Sequence, residues 1–185
     1  MAMKDKHGME SKGTVSNLNR FARVLADATG ETLRLLMRMP DKALEEIEKR
    51  KGLIKKLQGL DIDDKLKIAR NSNTDKDMLD ILSFEKHPDI KYVVACNRNT
   101  SVETLDRLSM NEYPWVREAV AKNENDSLEI FERLSRDEKW WVRAAVAKNG
   151  KTHIEILKRL QKDANADVRN SATAALKKLQ ENLEK

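Results

Sequence analysis

A 26-residue spacing constrains this chain more than any other feature. Residues 116–141 read VREAVAKNENDSLEIFERLSRDEKWW, and residues 142–167 read VRAAVAKNGKTHIEILKRLQKDANAD. Laid on one another, they pair Asn123 with Asn149, Phe131 with Leu157 and Leu134 with Leu160. Residues 90–115 are a third copy and 64–89 a weaker fourth, so Asn recurs at 71, 97, 123 and 149. Val168 opens a fifth copy that is cut short, with Ala175 in place of the Asn. Self-similarity at a fixed period of this size marks a stacked array, because one unit cannot bury its apolar face alone.

Each copy has the same internal pattern. A short first helix carries small and β-branched residues, as in Val116, Ala119, Val120 and Ala121, and ends at Lys122-Asn123. Asn is one of the few residues that tolerate a left-handed turn, which makes it a natural stop. The second helix opens at Thr74, Thr100, Asp126 or Thr152. An acid follows three residues later (Asp77, Glu103, Glu129 or Glu155), in the pattern of a capping box. Its apolar face is expected to bury Leu128, Phe131 and Leu134, with Leu105 and Leu108 one copy earlier. Alternating strand patterns are absent, so the expected class is all-α.

Ahead of the copies, residues 1–13 are polar and read as a disordered lead-in. Ser16 or Asn17 is placed to cap a helix carrying Leu18, Phe21, Val24 and Leu25 that ends near Gly30. A second helix through Leu33, Leu36 and Met37 stops before Pro40. Asp41 is placed to cap a third over 43–51, closed by Gly52, and Leu53, Ile54, Leu57 and Leu60 make a short fourth. Residues 14–63 thus read as an N-terminal helical cap over the first copy's open face. The full expectation is a right-handed α-solenoid over 64–185. Its two-helix repeats are 64–89, 90–115, 116–141 and 142–167, with a partial repeat at 168–185.

The strings V-R-x-A-V-A-K-N, the Asn-x-x-Thr/Asp turn and the Leu-x-x-Leu that follows resemble the leucine-rich repeat variant family over residues 64–175. That resemblance implies a superhelical stack of short helices with no sheet, and a scaffold rather than a reaction. The period of 26 is slightly longer than that family's usual repeat, so HEAT-like α-solenoids are the wider relation. Some members carry a cysteine-rich iron–sulfur module before the repeats. Cys96 is the only cysteine here and cannot supply one.

Composition limits the function classes. Hydrophobic residues make up 39% and charged residues 36%, a balance suited to a thin array whose core is a strip. A formal net charge of +5, spread over both halves, permits acidic partners without demanding them. No apolar run approaches the roughly 20 residues of a membrane span, and no signal-peptide core opens the chain. The cytoplasm is therefore the expected compartment, with no membrane partner. No Gly-rich phosphate loop, metal-ligand spacing or catalytic constellation is present, and no cofactor is implied. His7, His87 and His153 are far apart, and Cys96 reads as an incidental thiol.

Residues that recur become columns along the array. The Asn and acidic columns are explained by turns and caps. The basic column Lys65, Lys91, Arg117, Arg143 and Arg169 has two readings: bracing between repeats, or a stripe for phosphates or acidic peptide. Two further basic columns, Arg107/Arg133/Arg159 and Arg70/Lys122/Lys148, accompany it. A fourth column reads Asp89, Trp115, Trp141, Asp167, with Trp140 and Tyr113 alongside. Its tryptophans either pack between repeats or form an exposed aromatic patch of the kind that anchors interfaces. The candidate partner-binding residues are Trp115, Trp141, Trp140, Tyr113, Arg117, Arg143 and Arg169. The first functional reading is a non-enzymatic scaffold for a protein or peptide. Nucleic acid on the basic columns is the second, and a helical-repeat DNA glycosylase, by fold analogy alone, is the third.

Overall fold

The computed structural model describes residues 40–125 and 127–183, and every regular element among them is a helix. The chain divides into two compact units between Gln58 and Gly59. The lead-in and the helices expected before Pro40 lie outside the described residues.

In the first unit α1 spans Asp41–Leu57 without interruption. The sequence expectation of a stop at Gly52 is corrected. Gly inside a helix costs only about 0.5–1 kcal/mol relative to Ala, and Leu44 and Leu57, on either side of it, are both buried. Burial outweighs that cost. The left-handed residue comes later, at Gly59 with φ 87°. Asp41 is the first helical residue and Pro40 holds the N-cap position, so the capping role expected of Asp41 is not the one found.

In the second unit long and short helices alternate. α2 is Ile62–Arg70, α3 Lys76–Leu82, α4 Pro88–Cys96, α5 Val102–Leu108 and α6 Pro114–Lys122. α7 is Leu128–Leu134, α8 Trp140–Lys148, α9 Ile154–Leu160 and α10 Ala166–Leu183. α2, α4, α6, α8 and α10 pack each on the next, and every short helix packs on the long helices before and after it. Ala69, Ala95, Ala121 and Ala147 are fully buried at the helix contacts, where a methyl side chain permits close approach. Val94, Val120 and Val146 stand beside them, and Leu79, Leu105, Phe131 and Leu157 fill the side of the short helices. Leu128 is not part of this core. It is the first residue of α7 and stays exposed, while Ile130 takes the buried place.

The long helices end on Asn71, Asn97, Asn123 and Asn149 for a reason other than the expected one. All four backbones are extended, with φ between −68° and −77°, and no described non-glycine residue has positive φ. The side chain is what the site uses. Each Asn Oδ1 accepts the N–H two residues on, from Asn73, Asn99, Asn125 or Lys151, at 2.8–3.0 Å. Asn97 Nδ2 donates to the carbonyls of Ala69 (2.7 Å) and Asn71 (3.0 Å). Asn123 does the same to Ala95 (2.8 Å) and Asn97 (3.0 Å), and Asn149 to Ala121 and Asn123 (both 3.0 Å). A helix leaves its last carbonyls without an internal partner, and each carboxamide supplies one to the helix before it.

The threonines in the turns also differ from expectation. Asp126 lies outside the described residues; the other three expected caps sit one residue too early. The caps are Asp75, Ser101 and Ser127, accepting from the amides of Asp77, Thr104 and Ile130, while His153 holds the place in α9 without a side-chain bond. Thr74, Thr100 and Thr152 are buried and donate backwards to the carbonyls of Ile68 (2.5 Å), Val94 (2.6 Å) and Val146 (2.6 Å). A buried hydroxyl needs a partner, and the end of the preceding helix offers one. The acids therefore fall at the second helical position. The carboxylates of Glu103 and Glu129 are held below their usual range by their own backbone N–H and by the cap serine.

These bonds set an order of stabilities. Asn123→Ala is expected to lower the unfolding free energy by about 1–3 kcal/mol, because it strands the Ala95 carbonyl as well as removing the turn bond; the Asn97 carbonyl keeps the Thr100 N–H. Asn71→Ala removes only a turn bond and is expected to cost clearly less. Urea melts of the two variants decide, and equal losses would mean that the turn bond alone matters.

Candidate partner-binding edge

The basic column is largely used inside the fold. Asp137 lies in the turn before α8, where its Oδ1 accepts the Lys139 N–H and so fixes the start of that helix. The same carboxylate grips Arg117, from Nε at 2.6 Å and Nη2 at 3.0 Å. Arg117 Nη1 reaches the Asn111 carbonyl at 2.8 Å. One repeat on, Arg143 binds Asp163 through Nε (2.6 Å) and Nη2 (2.8 Å), and the Asp137 carbonyl through Nη1 (2.7 Å). Arg169 Nη1 then takes the Asp163 carbonyl at 2.7 Å. The result is a relay in which each turn aspartate serves one arginine with its carboxylate and the next with its carbonyl. Lys65 and Glu85 make the corresponding pair at 2.8 Å. At Lys91 the corresponding turn residue is the neutral Asn111, and no ion pair to Lys91 forms among the described residues.

The Arg117 and Asp137 side chains are only 12% and 6% exposed. All three nitrogens of Arg117 and of Arg143 are engaged, so neither is free to flank a docking surface. The second column is spent in the same way on the short helices. Arg107 binds Asp80 and the Ser83 hydroxyl, both at 2.6 Å, Arg133 binds Asp106 and Ser109, and Arg159 binds Glu132 and Ser135. The sequence signal for the serines was their own recurrence at 83, 109 and 135, which no expectation used. The third column stays on the surface, with Lys122 paired to Glu118 at 2.6 Å.

The aromatic residues lie at the starts of two adjacent long helices. Tyr113 is the N-cap residue of α6, its N–H held by Asn111 Oδ1, and Trp115 is the second residue of that helix. Trp140 and Trp141 are the first two residues of α8. Trp115, Trp140 and Trp141 are 44%, 40% and 37% exposed, which takes them out of the core. The rings are paired: Tyr113 lies 4.8 Å from Trp115, and Trp140 meets Trp141 edge-on at 5.9 Å. α6 and α8 pack together, and Trp115 and Trp141 hold equivalent positions on them; packed helices ordinarily lie about 8–10 Å axis to axis. Phe84 and Met110, in the turns at this same edge, are also exposed and were not singled out in the sequence. The Arg107 guanidinium covers the Phe84 ring at 4.0 Å, so that ring already has a cation on one face.

Among the described residues, no three His, Cys, Asp or Glu side chains stand close enough to hold a metal ion. Burial pushes the Cys96 thiol up, against the lowering effect of its bond to the Tyr92 hydroxyl, so it carries little thiolate. Among the described residues, no helix is long and apolar enough to cross a membrane.

The relay makes stability depend on acid. The Arg143 hydrogen bond holds the Asp163 carboxyl below the ordinary aspartate range. Such a group stabilises fully above its unfolded pKa of about 3.9 and loses that contribution as pH falls through the lower folded value. Asp163→Asn is therefore expected to lower the melting temperature at neutral pH, with the gap from wild type closing as pH drops below that range. A gap independent of pH would show that the variant acts through packing. Comparison of the chain with protein-family models, curated proteins and solved structures gives no match.

Proposed function

We propose that residues 64–185 form an α-solenoid of 26-residue repeats, related to the leucine-rich repeat variant and HEAT-like arrays, that works as a non-enzymatic scaffold. Hydrogen bonds that recur across 26 and 28 residues support the repeat reading. The partner is a protein or peptide, bound at the edge formed by Tyr113, Trp115, Trp140 and Trp141, and the protein acts in the cytoplasm. The carrying observation is three indoles, 37–44% exposed, paired with neighbouring rings on two packed helices. Each aromatic side chain offers roughly 150–250 Å² of burial, and ring pairs fixed in advance lose little freedom on binding. Nucleic acid is the weaker reading, since the arginines that would meet phosphates already hold aspartates and carbonyls.

Peptides selected from a random display library on the wild-type protein provide the test. Trp115→Ala/Trp141→Ala is expected to weaken them by about tenfold or more, as loss of an interface anchor does, with the fold intact by circular dichroism. Binding should change little between about 50 and 300 mM salt. Tight binding of DNA instead, steeply salt-dependent and indifferent to the tryptophans, would overturn the proposal.

A further inference from the structure

The other end of the two-helix hairpins carries a second stripe with a different chemistry. Val102, Leu128 and Ile154 are the first residues of α5, α7 and α9. They are 40%, 45% and 44% exposed, and Lys76 holds the equivalent place in α3. Nothing in the fold asks for an apolar residue there. The caps are made by Ser101 and Ser127 and the core by Leu105, Ile130 and Ile156, while a lysine serves equally well in α3. Next to the aliphatic residues stand exposed carboxylates at Glu103, Glu129 and Glu155. Lys158 neutralises Glu155 at 3.0 Å, and Glu103 and Glu129 face solvent as anions.

We propose that this stripe binds a basic amphipathic helix of a partner protein, lying across the starts of α5, α7 and α9. The side-chain bonds from Arg133 to Asp106 and from Arg159 to Glu132 hold these short helices side by side, at an ordinary helix spacing of about 8–10 Å. An α-helix returns to the same face every seven residues, about 10.5 Å along its axis. Apolar residues seven apart on the partner therefore meet Val102, Leu128 and Ile154 in turn. Lysines or arginines flanking that face meet Glu103 and Glu129, which selects a basic helix over an acidic one. These residues are not those of the aromatic edge, so the inference stands or falls independently of it.

The probe is a labelled helical peptide of about three heptads, with leucine at the first and fourth positions of each and lysine beside them. Its binding to the full chain is followed by fluorescence anisotropy. The peptide is expected to bind, to weaken about tenfold or more with Leu128→Ser/Ile154→Ser, and to weaken with a shallower salt dependence in Glu103→Gln/Glu129→Gln. A version with glutamate in place of lysine should not bind, and Trp115→Ala/Trp141→Ala should leave binding unchanged. All substituted residues are exposed, and thermal melts check that each variant is folded. No binding at about 100 μM peptide overturns the proposal. So does equal binding to wild type and Leu128→Ser/Ile154→Ser, or binding lost only when the tryptophans are removed.

Discussion

A helix of nine residues, like α4, α6 or α8, has about as many backbone groups without internal partners as with them. A fold built from such pieces meets that cost at every turn, and much of the backbone concerned is buried. The carboxamides of Asn97, Asn123 and Asn149 meet it with one side chain facing two ways. The oxygen shapes the residue's own turn, and the nitrogen closes the end of the helix before it. Aspartate has no donor for the second task, and glutamine is a methylene too long for the first. The packing of one long helix on the next and the path of the turn are thus fixed by the same group. The buried threonines complete the arrangement from within each turn.

The arginines extend this economy to the other end of the hairpins. Asp137 orders the start of α8, holds Arg117 and offers its carbonyl to Arg143. Largely buried and bidentate, such pairs specify geometry more than they add stability, since desolvation offsets much of the attraction. Their wider consequence concerns binding. A chain with a net charge of +5 looks ready for phosphate, but the guanidiniums in register are held by internal acceptors. The apolar side chains left exposed in register are indoles at one edge and aliphatic groups at the other.

Much of this was legible in the sequence, and the misses share a cause. The helical class, the ends of the long helices at Asn and the buried Val-Ala pattern follow from apolar spacing and turn chemistry alone. The cap was misplaced by one residue because Thr and Ser stand next to each other at 100–101, and either can cap an isolated helix. Only the packed structure shows that the threonine is buried and turned backwards. Leu128 and Ile130 present the same ambiguity on a helix of two turns, too short for periodicity to separate them. The role of Asn was assigned to its backbone because its acceptors lie 26 and 28 residues away, beyond any local rule. Gly52 stopped a helix on paper because propensity is visible in sequence and the burial of Leu57 is not.

The copies within the chain act as controls on one another. Where the fold makes a demand, they agree: Asn at 71, 97, 123 and 149, and Ala at 69, 95, 121 and 147. Where they disagree, the fold is indifferent, and the residue present needs another reason. The column of Trp115 and Trp141 accepts aspartate at Asp89 and Asp167, and the column of Val102, Leu128 and Ile154 accepts lysine at Lys76. Charged residues at those places are compatible with the same helices and the same turns. Exposing three indoles and three aliphatic side chains to water brings the array no packing gain that its other copies lack. Their apolar surface is left unburied among the described residues, so neither edge is part of the core.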